Sequence, residues 1–435
     1  MPRTPTHRTP RPTPAAPNAS RDAIAACAAF GIIPAPNHHT PMHINPAILN
    51  RAVNARVVLL TGPSGSGKSR LLQALAAATT HPVHHAHPPT GPCVFDALNA
   101  PPDRAQAALA AAGLAEPALW LRPPDQLSVG ERARLALAAV MARARPGDVV
   151  CADEFATPLD RFTAQALAHT AARWARAASI TLIAATAHED MPALVAPDLL
   201  IDAATQAPIP PPLPLHPAIR IEPGSLTDYH ALAHLHYLAD RPAAVVRTLR
   251  AVRTDAQGHD HLAGVLTVSM PTLNAPARAQ AWPGRYHTRD RRADARRLND
   301  EVRCISRVIT DPRSRGLGIA TRLVRAYLDN PLTPHTEALA AIGNACPFFR
   351  RAGMTEYHLP TPEPDARLAD TLAHLNIDPA AIARDPTLTH PLLTRELTRW
   401  SRHARIQAPD PQSLSAAAAT RLLTTPRAYA HHAPS

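Results

Sequence analysis

GPSGSGKS, residues 62–69, contains Lys68, the one lysine among the 45 lysine and arginine residues of this 435-residue chain. The stretch fits G-x-x-x-x-G-K-[ST]. It follows an apolar run, Val57–Leu60, and leads into SRLLQALAAA, a run of good helix formers. A strand, a glycine-rich turn and a helix in that order make a phosphate-binding loop. Backbone N–H groups and the helix N-terminus face the phosphates, and the glycines let the backbone come close. Lysine supplies a compact ammonium on a flexible stem, which the larger planar guanidinium does not reproduce. The chain is rich in alanine, arginine and proline, as a GC-rich coding background would make it. Position 68 is where the exchange of lysine for arginine is resisted.

The same background tempers the net charge of +11, which otherwise favours anionic partners such as nucleic acid. Five cysteines stand singly with no C-x-x-C pair, as buried small hydrophobes in a reducing compartment do. The histidines at 84–87 have no second cluster at zinc-site spacing, so no metal is assigned to them. No run of about 18 apolar residues is present, so no transmembrane helix is expected. Residues 1–40 are basic and proline-rich without the apolar core of a secretory signal, and are expected to be a disordered tail. The expectation is a soluble, cytoplasmic protein with no membrane partner.

From 41 to 205, short apolar runs alternate with alanine-rich stretches, the pattern of a mainly parallel α/β sheet. APIPPPLPLHP (207–217) is too proline-dense for helix or sheet, and 206–217 reads as a linker. A second α/β domain spans 218–360, followed by a helical, flexible extension over 361–435. Within the first domain, LSVGE (127–131) precedes an arginine-studded helix. A strand then ends in Asp153-Glu154, ATPLD (156–160) follows, and the next strand ends at His188.

This order resembles the ABC-type ATPases: Walker A, signature, Walker B with its glutamate, D-loop and switch histidine. The resemblance implies that Gly62, Pro63, Ser64, Gly65, Ser66, Gly67, Lys68, Ser69 and Arg70 hold the ATP phosphates, with Asp160 nearby. Ser69 and Asp153 would hold Mg²⁺, and Glu154 would polarise the attacking water. His188 would sense the γ-phosphate. Ser128 and Gly130 would cap the nucleotide of a second protomer, which implies a homodimer through the ATP sites. The segment between Ser69 and Leu127 is short for this family and lacks a clear Q-loop glutamine, so a transporter role is not expected.

In the second domain, CISRVITDPRSRGLGIATRLVRAYLDN (304–330) runs from a strand through Arg313-x-x-Gly316-x-Gly318 into an amphipathic helix. It resembles the acetyl-CoA pyrophosphate loop of GNAT N-acyltransferases, and AALAAIGNACPFFRRAGM downstream resembles the closing elements of that fold. The resemblance implies an acyl-CoA site at Arg313, Ser314, Arg315, Gly316, Leu317, Gly318 and Ala320, with Val308 as the oxyanion donor. Phe348 and Phe349 stand where the usual tyrosine acid would be. His236 and Tyr237 are alternative catalytic groups, or else part of a packed helix face.

RYHTRDRRADARRLNDEVR (285–303) holds seven arginines. Arg291, Arg292, Arg296 and Arg297 among them are candidates for nucleic-acid phosphates, a solvated charged loop being the alternative. The second half is also similar to the GNAT-related phage Mom proteins, which modify adenine in DNA. Three functions stay open: an ATP-gated acyltransferase acting on DNA or RNA, a GNAT enzyme for a small-molecule or protein amine regulated by the ATPase, and a non-enzymatic machine whose GNAT fold only binds a ligand.

Overall fold

Val57–Thr61 forms a strand, β1, whose first four residues are all fully buried, as a strand covered on both faces requires. Its side chains divide with period two. Val57 and Leu59 enter one apolar cluster, and Val58 and Leu60 enter another on the opposite face. The computed structural model describes residues 11–14, 19–35, 44–236, 242, 244–275, 277–385, 387–388, 390–404, 410–424 and 426–433.

Around β1 stands a six-stranded sheet, completed by β2 (Val83–His85), β3 (Val149–Ala152), β4 (Thr181–Ala185), β5 (Leu199–Asp202) and β6 (Ala207–Ile209). The order is β2-β3-β4-β1-β5-β6. Every pair is parallel except β5 with β6. Helix α1 (Lys68–Ala78) buries Leu71, Leu72 and Leu75 on one face. Helices α2 (Val129–Arg143) and α3 (Arg161–Ala177) bury Leu135, Val140, Ala164 and Ala171 on the other.

The second sheet has seven strands: β7 (Ile219–Pro223), β8 (Val245–Thr254), β9 (Asp260–Ser269), β10 (Val302–Thr310), β11 (His335–Ala340), β12 (Thr355–His358) and β13 (Arg427–His432). Its order is β12-β13-β11-β10-β9-β8-β7, and among the described residues β10 pairs with β11 in parallel and the other neighbours pair antiparallel. These two pair from Val302 with His335 to Ile305 with Ala338. Helix α4 (Arg291–Glu301) precedes β10, and helix α5 (Ile319–Leu328) follows it. The apolar stripe Ile319, Leu323, Val324 and Tyr327 of α5 packs on Leu266, Val268, Ile305 and Ala338.

The structure differs from three expectations. The linker is not strand-free: Ala207–Ile209 is a strand at the sheet edge, where a proline loses no ladder bond on its open side. The sheet of the second half is not contained in 218–360. β13 comes from the expected flexible extension and lies between β11 and β12. Between β12 and β13 stand helices Glu363–His374, Pro379–Arg384, Pro391–Ala404 and Pro411–Leu423, packed around the buried Trp400. Within 1–40, the described residues include a helix, Arg21–Ala28, capped by Ser20, and two short paired strands, Arg11–Pro14 and Ile32–Ala35. Among the described residues, no helix is long and apolar enough to cross a membrane.

Because β13 pairs on both sides, removing it would strip β12 of its partner and expose β11. Truncation after Thr424 is therefore expected to unfold the second half. Limited proteolysis should then cut within 219–358 while the 57–202 region stays protected.

Candidate functional site

The loop after β1, the turn after β3 and the turn after β4 leave one edge of the sheet from three adjacent parallel strands. That C-terminal edge is where open α/β sheets bind ligands. Gly67 takes a left-handed conformation, φ +90°, as the N-cap of α1, with no side-chain cap. The first-turn N–H groups of α1 have no intrahelical partner, and the helix dipole there favours negative charge. An added Cβ at Gly62, φ +138°, would stand 2.8 Å from Ser66 Oγ, so the loop closes only around glycine. Lys68 Nζ donates to the carbonyls of Gly62 and Pro63, each at 2.8 Å, folding its charge over the loop. Ser66 Oγ is buried without a partner, while Ser69 and Arg70 are exposed at the start of α1.

Asp153 and Glu154 are exposed just past β3. Asp153 Oδ1 accepts the Glu154 N–H at 3.0 Å. Glu154 and Ala156 both hold positive φ, +47° and +60°, unfavourable for residues with a Cβ. The turn is pinned to β4 by the Phe155 N–H on the Ala185 carbonyl, 2.8 Å. It ends at Asp160, the N-cap of α3, whose carboxylate accepts from Thr163 N and Oγ1 at 2.9 and 2.6 Å. Burial alone would raise the Asp160 pKa, but these hydrogen bonds, with the charge of Arg313, hold it below the usual range. His188 follows β4 with its Nε2 buried and unpartnered. Ser128 caps α2 in a capping box with Glu131. A Cβ on Gly130 would meet Leu159 Cδ2 at 3.2 Å.

The loop after β10 repeats the local chemistry of the loop after β1. Gly318 caps α5 in the left-handed region, φ +76°, again without a side-chain cap. Its surroundings are different. A Cβ on Gly316, φ +82°, would lie 2.2 Å from Thr170 Oγ1, because α3 of the first half packs onto the loop. Arg173 on α3 donates to the Gly316 carbonyl. Arg315 pairs with Glu116 at 2.5 Å, Arg313 pairs with Asp311, and Ser314 is buried. Leu317 is buried in the core of the second half and Ala320 is half-buried on α5.

Arg253 on β8 is fully buried between the two halves. It donates to the Phe162 carbonyl at 2.9 Å, to Gln165 Oε1, to the Arg313 carbonyl at 3.2 Å and to Ser314 Oγ at 3.4 Å. Its guanidinium lies 3.5 Å from the centre of the Phe162 ring. Burial pulls its pKa down to about 10. Arg253, Thr170, Arg173 and Gln165 carry no motif, and sequence reasoning missed them.

Val308 stands in regular register opposite Leu266, half-buried against the core. The irregularity of β10 falls instead at Ser306, whose Oγ meets Thr267 Oγ1 at 3.0 Å and Ser269 Oγ at 2.8 Å. His236 ends the short 3₁₀ turn Ala233–Leu235, and Tyr237 lies outside the described residues. The arginine-rich stretch holds a helix rather than a loop. On α4, capped by Asp290, Arg291, Arg292 and Arg296 are exposed, and Arg297 donates to the Arg285 carbonyl at 2.7 Å.

The chain matches no protein-family model and no curated protein. Over about a third of its length it is similar to solved ABC-type structures. One is cbiO1 from Clostridium perfringens, part of the ABC transporter complex cbiONQ, at 19% identity and a TM-score of 0.28, over 34% of this chain and 74% of that one. Another is a bacterial Atm1-family ABC exporter with ATP bound, at 22% identity and a TM-score of 0.28. There the likeness covers 34% of this chain and 32% of the exporter's.

The two glycines of the second loop differ in a testable way. No atom lies within 4 Å of a Cβ built on Gly318, so Gly318→Ala carries only left-handed strain, about 1–2 kcal/mol. Gly316→Ala adds the clash with Thr170 and is expected to cost about 1–3 kcal/mol more. Thr170→Ala in the same chain should recover much of that excess, read by denaturant unfolding as a double-mutant cycle.

Proposed function

We propose that this chain is an ABC-type, ATP-hydrolysing protein whose second half is an acyl-CoA-dependent acyltransferase acting on nucleic acid. The observation that carries the first part is the convergence of Lys68, Asp153-Glu154 and His188 at one sheet edge. Ser66 Oγ and His188 Nε2, buried there without partners, are atoms a phosphate would satisfy. Lys68, held by two neutral carbonyls, is free to exchange them for phosphate oxygens.

In this reading Lys68 and the N–H groups of Gly65, Gly67 and Ser69 neutralise the phosphates. Ser69 and Asp153 would hold Mg²⁺, which would supply Lewis-acid charge neutralisation for the phosphates. Glu154 polarises the attacking water, and His188 senses the γ-phosphate. Ser128 and Gly130 of a second copy complete each site, so turnover requires a homodimer.

Support for the acyltransferase comes from the sheet of the second half. Its parallel pair, β10 with β11, runs from Val302 to Ile305, and the Arg313–Gly318 loop lies just beyond β10. The acceptor amine would attack the thioester carbonyl, forming a C–N bond and releasing the CoA thiolate. His236 and Tyr237 are the candidates for moving the proton. The exposed Arg291, Arg292 and Arg296 of α4, with Arg297, would hold nucleic-acid phosphates.

Lys68→Ala is expected to abolish ATP binding. Glu154→Gln should keep binding and lower turnover by about 10²–10⁴-fold. An unchanged rate in Glu154→Gln would refute the role of Glu154.

Neutralising Arg291, Arg292, Arg296 and Arg297 together should leave ATP turnover intact. It should weaken duplex binding and flatten its salt dependence by about 0.9 log units per lost phosphate contact. An unchanged salt slope would remove α4 as the nucleic-acid surface.

A further inference from the structure

An anion loop works by letting a ligand come close to its backbone, and at Gly316 of the Arg313–Gly318 loop a helix of the first half stands in that space. Thr170 fills the open side of Gly316, Arg173 takes the Gly316 carbonyl, and Arg315 is paired with Glu116. Ala166 of α3 joins Leu317 and Ile319 in the core of the second half. The first half thus covers the loop from α3 and from the Gly113–Glu116 turn.

This cover is connected to the nucleotide edge by a short, stiff path. The N-cap of α3, Asp160, lies six residues past Glu154, and the turn between them is the strained one pinned to β4. Phe162 and Gln165, in the first turns of α3, are gripped by Arg253, which with the same guanidinium grips Arg313 and Ser314. A movement of the Glu154 turn therefore reaches Arg253 through one helical turn and the loop through one side chain. The seated arrangement is also incompletely satisfied, since Thr170 Oγ1 and Arg253 Nε are buried without partners. Such atoms weaken the seated state relative to one in which water reaches them.

We propose that α3 is a nucleotide-controlled cover over the Arg313–Gly318 loop, with Arg253 as the positioning residue that couples the two. It rests on the reading that nucleotide binds at Lys68, but not on what the loop binds. The two states are α3 seated, as described, and α3 withdrawn, with the space at Gly316 open to a ligand. Because coupling is reciprocal, an anion that opens the loop must alter nucleotide affinity by the same factor that nucleotide alters anion affinity.

The test is hydrogen–deuterium exchange on the full chain carrying Glu154→Gln, with and without Mg-ATP, with ATP binding measured in the same sample. Bound ATP is expected to raise exchange in 312–319 by about 5-fold or more. No change with ATP bound overturns the cover, and a failure of ATP to bind overturns its nucleotide control together with the nucleotide reading. Arg253→Lys, which keeps the charge but loses the fork, should give high loop exchange without ATP and no further response. Should that variant fail to fold, Arg173→Ala should raise loop exchange in the absence of ATP. An ATP response identical to that of the parent in Arg253→Lys overturns the role of Arg253, and unchanged basal exchange in Arg173→Ala overturns the α3 contact. A separate titration with coenzyme A distinguishes the readings. A loop that opens with ATP but never binds coenzyme A keeps the cover and defeats the acyl-CoA site. Equal coenzyme A affinity with and without ATP defeats the cover.

Discussion

Arg253, a fully buried cation, ties the start of α3 in the first half to the loop before α5 in the second. Its charge is met by two backbone carbonyls, one amide oxygen, one hydroxyl and an aromatic face, with no ion pair among the described residues. Arginine tolerates this better than lysine would. Its charge is delocalised, its hydration is weaker, and its planar fork reaches acceptors on two sides at once while stacking on a ring. Each acceptor belongs to a segment that must be in place before the charge is satisfied: the start of α3 on one side, the loop before α5 on the other. The arrangement therefore holds both segments together or neither.

The two glycine-capped helices show how much surroundings matter. α1 and α5 both follow a strand through a left-handed glycine, and neither has a side-chain cap. Their local electrostatics are alike, since both leave first-turn N–H groups with no intrahelical partner. Around α1, the residues at 63–65 and 69–70 are exposed, and the lysine is held by carbonyls of its own loop. Around α5, a helix from the other half fills the space at Gly316. The same motif is open in one half and covered in the other.

The second sheet carries a related lesson. A strand from residues 427–432 enters between β11 and β12, after some 70 residues that include four helices. Closing so long a loop costs only logarithmically more than closing a short one. An insertion packed around Trp400, with its own small core, is compatible with an intact sheet. RAYAHH is short and mixed in character. Its strand role comes from two flanking strands offering unpaired backbone on either side, and no local pattern announces it.

The buried apolar runs of β1, β3 and β4 were legible in the sequence, because a strand covered on both faces needs consecutive apolar residues and little else. So were the glycines at 62, 67, 316 and 318 as turn positions, where positive φ or close approach disfavours a Cβ. These features are local, and local sterics and charge write them directly into residue type. The sequence showed neither the cover on the second loop, nor the burial of Arg253, nor the placement of β13. Arg253 alternates with apolar neighbours in VVRTLRAVRT as an exposed strand arginine would. Thr170 and Arg173 read as ordinary positions on an alanine-rich helix. Their roles arise from contacts between residues some 60 to 200 positions apart, and such contacts are decided by how the two sheets pack, which no local pattern records.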